Sequence, residues 1–115
     1  MLGGMKGRVR SVGRTATTAA KVFGNLIAQG RRDRGMTLDQ LAEAIGASSR
    51  TVYSIEHGEP TVGLGTYFEA ASVLGIPLFG ADKSELTQLL RDGRDRLALL
   101  PDRVRAKEVQ FDANF

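Results

Sequence analysis

The chain of 115 residues has no cysteine and a single histidine, His57. Without thiols there is neither a disulfide frame nor a thiolate metal site, which suits a reducing cytosol. A lone imidazole with no second ligand at metal-site spacing argues against a bound metal, and no cofactor is expected. No apolar run approaches the roughly 20 residues needed to span a bilayer. The first twenty residues carry basic side chains but lack the apolar core of a signal peptide, so the expected location is the cytoplasm. There is no internal repeat and no low-complexity segment. Gly3-Gly4 and Gly63-x-Gly65 stand too isolated to form a phosphate-binding loop. No pair of carboxylates falls in an evident cleft, and these absences together argue against an enzyme.

What is present is a small domain with tails. Hydrophobic residues make up 42% of the chain. They supply a core of about fifteen apolar side chains, marginal on its own, so dimer formation is expected on stability grounds. The formal net charge is +3, and its distribution says more than its sum. Lys6, Arg8, Arg10 and Arg14 fall in the first fourteen residues with no acid among them. Residues 1–17 therefore read as a flexible basic arm that follows phosphates or enters a minor groove, or else as a plain solvated tail.

Apolar spacing predicts five helices. The first covers residues 18–34 and stops at Gly35. Thr37 then reads as an N-cap, with Gln40 completing a capping box, and residues 38–45 carry Leu41, Ala42 and Ile45 on one face. Gly46 closes that helix at a sharp turn. Ser48 caps a third helix over residues 49–57, with Val52 and Ile55 inward. A loop over 59–63 leads to a fourth helix over 64–74 that buries Leu64, Phe68, Ala71 and Leu74. A fifth, over 83–99, carries Leu86, Leu89, Leu90 and Leu97 and is broken by Pro101. The expected organisation is an all-α, compact five-helix fold: four helices in a domain over 18–80, the additional C-terminal helix within 81–100, and a flexible tail over 101–115.

Residues 37–58 hold two short amphipathic helices joined by a tight turn, the pattern of a helix-turn-helix. Such a unit lays its second helix in the major groove of DNA. Ser49, Arg50, Tyr53 and Ser54 lie on the outer face of that helix and are the candidates for reading bases. A guanidinium at Arg50 can bond guanine O6 and N7 together, worth roughly 1–3 kcal/mol of discrimination, or it can hold a phosphate without reading sequence. Tyr53 suits a thymine methyl or a phosphate. Thr37, Ser48, Thr51 and His57 are candidates for phosphate contacts near helix ends, where anions are favoured. Glu56 follows the buried Ile55, where an unpaired acid is costly, and Arg31 on the first helix is its expected structural partner.

The stretches Arg31-x-x-x-Gly35-Met36-Thr37, Leu41-Ala42-x-x-Ile45-Gly46-x-Ser48 and Val52-x-x-Ile55-Glu56-x-Gly58 resemble the Cro/C1-type (XRE) helix-turn-helix family, and Val73-Leu74-Gly75-Ile76 fits it too. One position departs. Many members carry a phosphate-anchoring glutamine directly after the capping threonine, where this chain has Leu38. The run from Gly58 to Tyr67 is similar to the loop of a subset of the family, the HipB-like antitoxins. So is the ending Leu99-Leu100-Pro101-Asp102-Arg103-Val104-Arg105, followed by Phe111-Asp112-Ala113-Asn114-Phe115. The resemblance implies a homodimer that represses its own operon at palindromic operators. It also implies that the protein neutralises a HipA-like serine/threonine kinase toxin. Arg103, Val104, Arg105, Phe111 and Phe115 would then be partner-binding anchors in a tail that folds onto its target. Two other readings stay open. One is a stand-alone or phage-type repressor without a toxin. The other is a protein-interaction adaptor, which four basic against four acidic residues across 31–58 mildly favour.

Overall fold

The computed structural model describes residues 12–103, and the chain divides into two compact units between Leu78 and Phe79. The first holds α1 (Arg14–Asp33), α2 (Leu38–Ile45), α3 (Ser49–Glu56) and α4 (Leu64–Val73). The second holds α5 (Lys83–Ala98). Helices are the only regular elements among the described residues. Helix α1 starts at Arg14, so part of the stretch expected to be a flexible arm is helical. The remaining basic positions of that arm, Lys6, Arg8 and Arg10, lie outside the described residues.

The core of the first unit is small and entirely apolar. Ile27 of α1, Leu41 of α2, and Val52 and Ile55 of α3 are fully shielded from solvent. Ala42, Tyr67, Ala70 and Leu74 complete the cluster, with Phe23, Met36, Leu38, Ile45, Val62, Val73 and Ile76 packed around it. The inward faces of α2 and α3 are those the apolar spacing predicts. For α4 the buried face is turned. Leu64 is exposed, Phe68 is half-buried, and Tyr67, Ala70, Ala71 and Leu74 face inward. The buried set follows the i, i+3, i+4, i+7 spacing counted from Tyr67 rather than from Leu64. A tyrosine can take that place because its hydroxyl has a partner: Tyr67 Oη donates to the Glu59 carbonyl at 2.7 Å. Burial, reinforced by the charge of Glu59, holds the Tyr67 phenol above its ordinary pKa. Its ring lies 5.4 Å from that of Phe23. Leu64 instead lines a shallow apolar cleft of about 310 Å³ with Phe23, Pro60 and Val62.

Backbone chemistry fixes the corners. The Thr37 hydroxyl accepts from the Gln40 amide at 3.0 Å, and Gln40 Oε1 accepts from the Thr37 amide at 2.8 Å. This is the reciprocal capping box that the sequence predicts. Gly46 closes α2 at φ 69°, a left-handed conformation that costs a glycine nothing. In the second unit, Asp82 and Glu85 make another capping box at the start of α5.

Helices α1 and α3 cross at a distance only glycine allows. A β-carbon on Gly24 would collide with the Ile55 carbonyl oxygen and fall 2.9 Å from the Gly58 nitrogen. On the other side, a β-carbon on Gly58 would lie 2.5 Å from the Lys21 Cα. The atoms met are backbone, which has no rotamer by which to withdraw. Gly24→Ala is therefore expected to destabilise the protein by about 1–3 kcal/mol or more, read from the urea midpoint at constant m-value. Gly65→Ala, where an added β-carbon meets nothing within 4 Å, is the helical control and should gain about 0.5–1 kcal/mol. Equal midpoints for the two variants would show that the crossing is looser than described.

Candidate nucleic-acid interface

Helix α3 is a short rod with two distinct faces. Val52 and Ile55, three residues apart, are fully buried, and they set the helix against α1 and α2. Ser48 caps its start: the hydroxyl oxygen accepts from the Thr51 amide at 3.1 Å and lies 3.0 Å from the Thr51 hydroxyl. Arg50 and Tyr53 are exposed on the outer face, whereas Ser49, Thr51 and Ser54 are half-buried.

The outer residues are not equally available. Ser49 donates its hydroxyl hydrogen to the Asp39 carboxylate of α2. That proton is engaged within the protein, leaving Ser49 chiefly acceptor capacity toward a ligand. Sequence gave no notice of this bond, because the two residues are ten positions apart on different helices. Tyr53 stacks on His57, with ring centroids 3.9 Å apart and planes 24° apart. The His57 Nδ1–H donates to the Tyr53 carbonyl at 2.8 Å, which fixes the tautomer and leaves Nε2 as the second ring nitrogen. Arg50 makes no hydrogen bond or ion pair among the described residues. It is the one long cation on α3 with its full donor set unspent.

The expected pair of Arg31 and Glu56 is present and has a third member. Arg31 Nε donates to Glu56 Oε2 at 2.5 Å, and Nη2 donates to Oε1 at 3.0 Å. Nη1 donates to the Met36 carbonyl at 2.8 Å. A single guanidinium thus ties the end of α1 to the turn before α2 and to the end of α3. The Glu56 hydrogen bond outweighs the opposing cost of burial and holds Arg31 above its ordinary guanidinium value. Leu38, at the position where a phosphate-anchoring glutamine is common in the resembling family, is half-buried and packs on the core. Packing, not a polar contact, is the use made of that site. Of the tail candidates only Arg103 is described, and it is exposed. Val104, Arg105, Phe111 and Phe115 lie outside the described residues.

Residues 27–80 match the family model described as Helix-turn-helix, just under half of the chain. With the α2–turn–α3 geometry above, this segment is a helix-turn-helix domain of the XRE type, from a family that is DNA-binding and regulatory rather than enzymatic. The domain makes the protein a DNA-binding transcription regulator. No curated protein is similar enough to the whole chain to match it. No described helix is long and apolar enough to cross a membrane.

The side chains of Arg31 and Glu56 are only 11% and 6% exposed, so each neutralises a charge that water cannot reach. Arg31→Met strands the carboxylate and should cost about 3–5 kcal/mol, measured by urea unfolding. The double variant Arg31→Met/Glu56→Met removes both charges and should lose clearly less than the single one. A double variant as unstable as the sum of its parts would show that the two residues act separately.

Proposed function

We propose that the protein is a repressor that binds a palindromic operator as a homodimer, with α3 in the major groove. The observation that carries this reading is the division of α3 into a core face fixed by Val52 and Ile55 and an open face presenting Arg50 and Tyr53. Arg50 reads guanine through its two parallel N–H donors. Tyr53, braced by His57, gives apolar contact to a thymine methyl. Ser49 and Ser54, half-buried, contribute acceptors at the edge of the contact. Thr37 and the one hydroxyl of the Ser48–Thr51 pair whose hydrogen is not spent on the other hold phosphates on either side, and His57 joins them in its doubly protonated form, in which Nε2 also carries a hydrogen to donate. Action on DNA places the protein on the nucleoid.

The same reading makes it the antitoxin of a HipBA-like pair. Its support is the likeness of the 58–67 loop and the 99–115 ending to the HipB-like subset. The loop by itself decides little. Tyr67 sits in the core and ties down Glu59, while Pro60 and Val62 line the cleft beside them, so these residues are accounted for by packing. The ending therefore carries the kinase assignment, through Arg103, Val104, Arg105, Phe111 and Phe115.

Two measurements separate these claims. Arg50→Ala should weaken binding to the selected operator about 5–100-fold while changing affinity for random DNA far less, in a fluorescence titration at fixed salt. Equal losses on both DNAs would reduce Arg50 to a phosphate contact. Removal of residues 101–115 should leave folding and operator binding intact and abolish co-purification of a kinase-like protein from the native host. If the full chain captures no such protein while the kinase is expressed, the stand-alone repressor is the correct reading.

A further inference from the structure

Ser49, the first residue of α3, is the one hydroxyl of the outer face, among the described residues, whose hydrogen has a fixed destination. It donates to Asp39 Oδ1 on α2. A carboxylate has lone pairs and no hydrogen to return, so that bond runs in one direction only. The neighbouring hydroxyls differ. Ser48 and Thr51 face each other, and either can be the donor. Tyr53 and Ser54 spend their hydroxyls on no partner among the described residues, so each can turn to give or to take. Toward anything laid on α3, Ser49 Oγ therefore offers lone pairs alone.

Bases differ in what they return to such a group. On the major-groove edge guanine shows N7 and O6 and thymine shows O4, all acceptors, whereas adenine N6 and cytosine N4 carry amino hydrogens. A hydroxyl that only accepts is satisfied by adenine or cytosine. Against O6 or O4 it sets lone pair against lone pair, and the facing oxygens lose water without gaining a bond. Asp39 sharpens the contrast. It is exposed, and its Oδ2 has no hydrogen-bond partner among the described residues. An open carboxylate oxygen beside Ser49 repels the carbonyl of thymine or guanine, and it repels backbone phosphates too, at a cost in nonspecific affinity. An acid in the first turn of α2 also suits the positive end of that helix. That local use requires no bond to a serine on another helix.

We propose that Asp39 is a positioning residue that fixes Ser49 as an acceptor, so that this point of α3 selects adenine or cytosine and rejects thymine and guanine on the same strand. This rests on the reading of α3 as the groove helix and names what one of its side chains recognises. The full-length wild type first selects its site from a randomised duplex library. Affinities for every single-base-pair change in that site are then measured at fixed salt. The position that Ser49→Ala flattens is the Ser49 contact, and there the wild type should favour adenine or cytosine by about fivefold or more. Replacing that adenine with unsubstituted purine removes the 6-amino group and leaves the paired thymine in place. Wild-type binding should weaken by a similar factor, and Ser49→Ala binding should not change. Asp39→Ala frees the hydroxyl to donate, so the preference should fall below about twofold while affinity for random duplex holds or rises. Circular dichroism on each variant separates lost recognition from lost helix. Uniform weakening by Asp39→Ala with the preference kept would make Asp39 a tie between helices and overturn the acceptor role. Wild-type indifference to purine would overturn it as well, with no variant involved. Should Arg50→Ala flatten a position and Ser49→Ala none, the groove reading stands and the acceptor role alone falls. If neither variant flattens any position, both fall.

Discussion

The structure depends on how closely α1 approaches α3. Gly24 lets the α3 backbone sit directly on α1, and Gly58 repeats the arrangement from the other side against Lys21. At that separation Ile27, Val52 and Ile55 can close over one another without a gap. Arg31 can also reach Glu56 and Met36 with all three of its nitrogens. A core this small has little redundancy. Its rigidity comes from one close crossing and one guanidinium that spans three elements, not from a large buried area. The consequence for the outer face of α3 is positional. Helix α3 has only two turns, and its orientation is set almost wholly by what lies beneath it.

Much of this was legible in the residues. The five helices were readable because caps, periodic apolar positions and terminal glycines agree with one another along the chain. Thr37 with Gln40 marked one start and Gly46 marked a stop, while an acid next to buried Ile55 called for a base elsewhere. What escaped was tertiary. Leu64 and Tyr67 both offer an apolar face to a helix that starts at 64, and only the Glu59 carbonyl, placed by a loop, decides in favour of Tyr67. The bond between Asp39 and Ser49 crosses two helices and leaves no local spacing to read. The start of α1 at Arg14 was hidden because no side chain caps it: Gly13 precedes the helix, and the first turn is polar.

The two units use leucine in opposite ways. In the first, Leu41 and Leu74 are enclosed and Leu38 has been drawn inward from a position where the resembling family favours a polar anchor. In the second, the α5 leucines remain largely in water. The residues that fix α3 and the leucines of α5 thus belong to different units, so sequence change in one set need not disturb the other.

The tied hydroxyls on α3 bear on the thermodynamics of recognition. Ser48 and Thr51 hold each other, Ser49 is held by Asp39, and Tyr53 rests on His57. Each of these side chains has surrendered its rotational freedom during folding, before any ligand arrives. Among the exposed residues of this face Arg50 alone has no such contact. Whatever covers this face must therefore order essentially one side chain, at a cost of about 2 kcal/mol. The remaining entropic penalty falls on solvent and on the ligand itself.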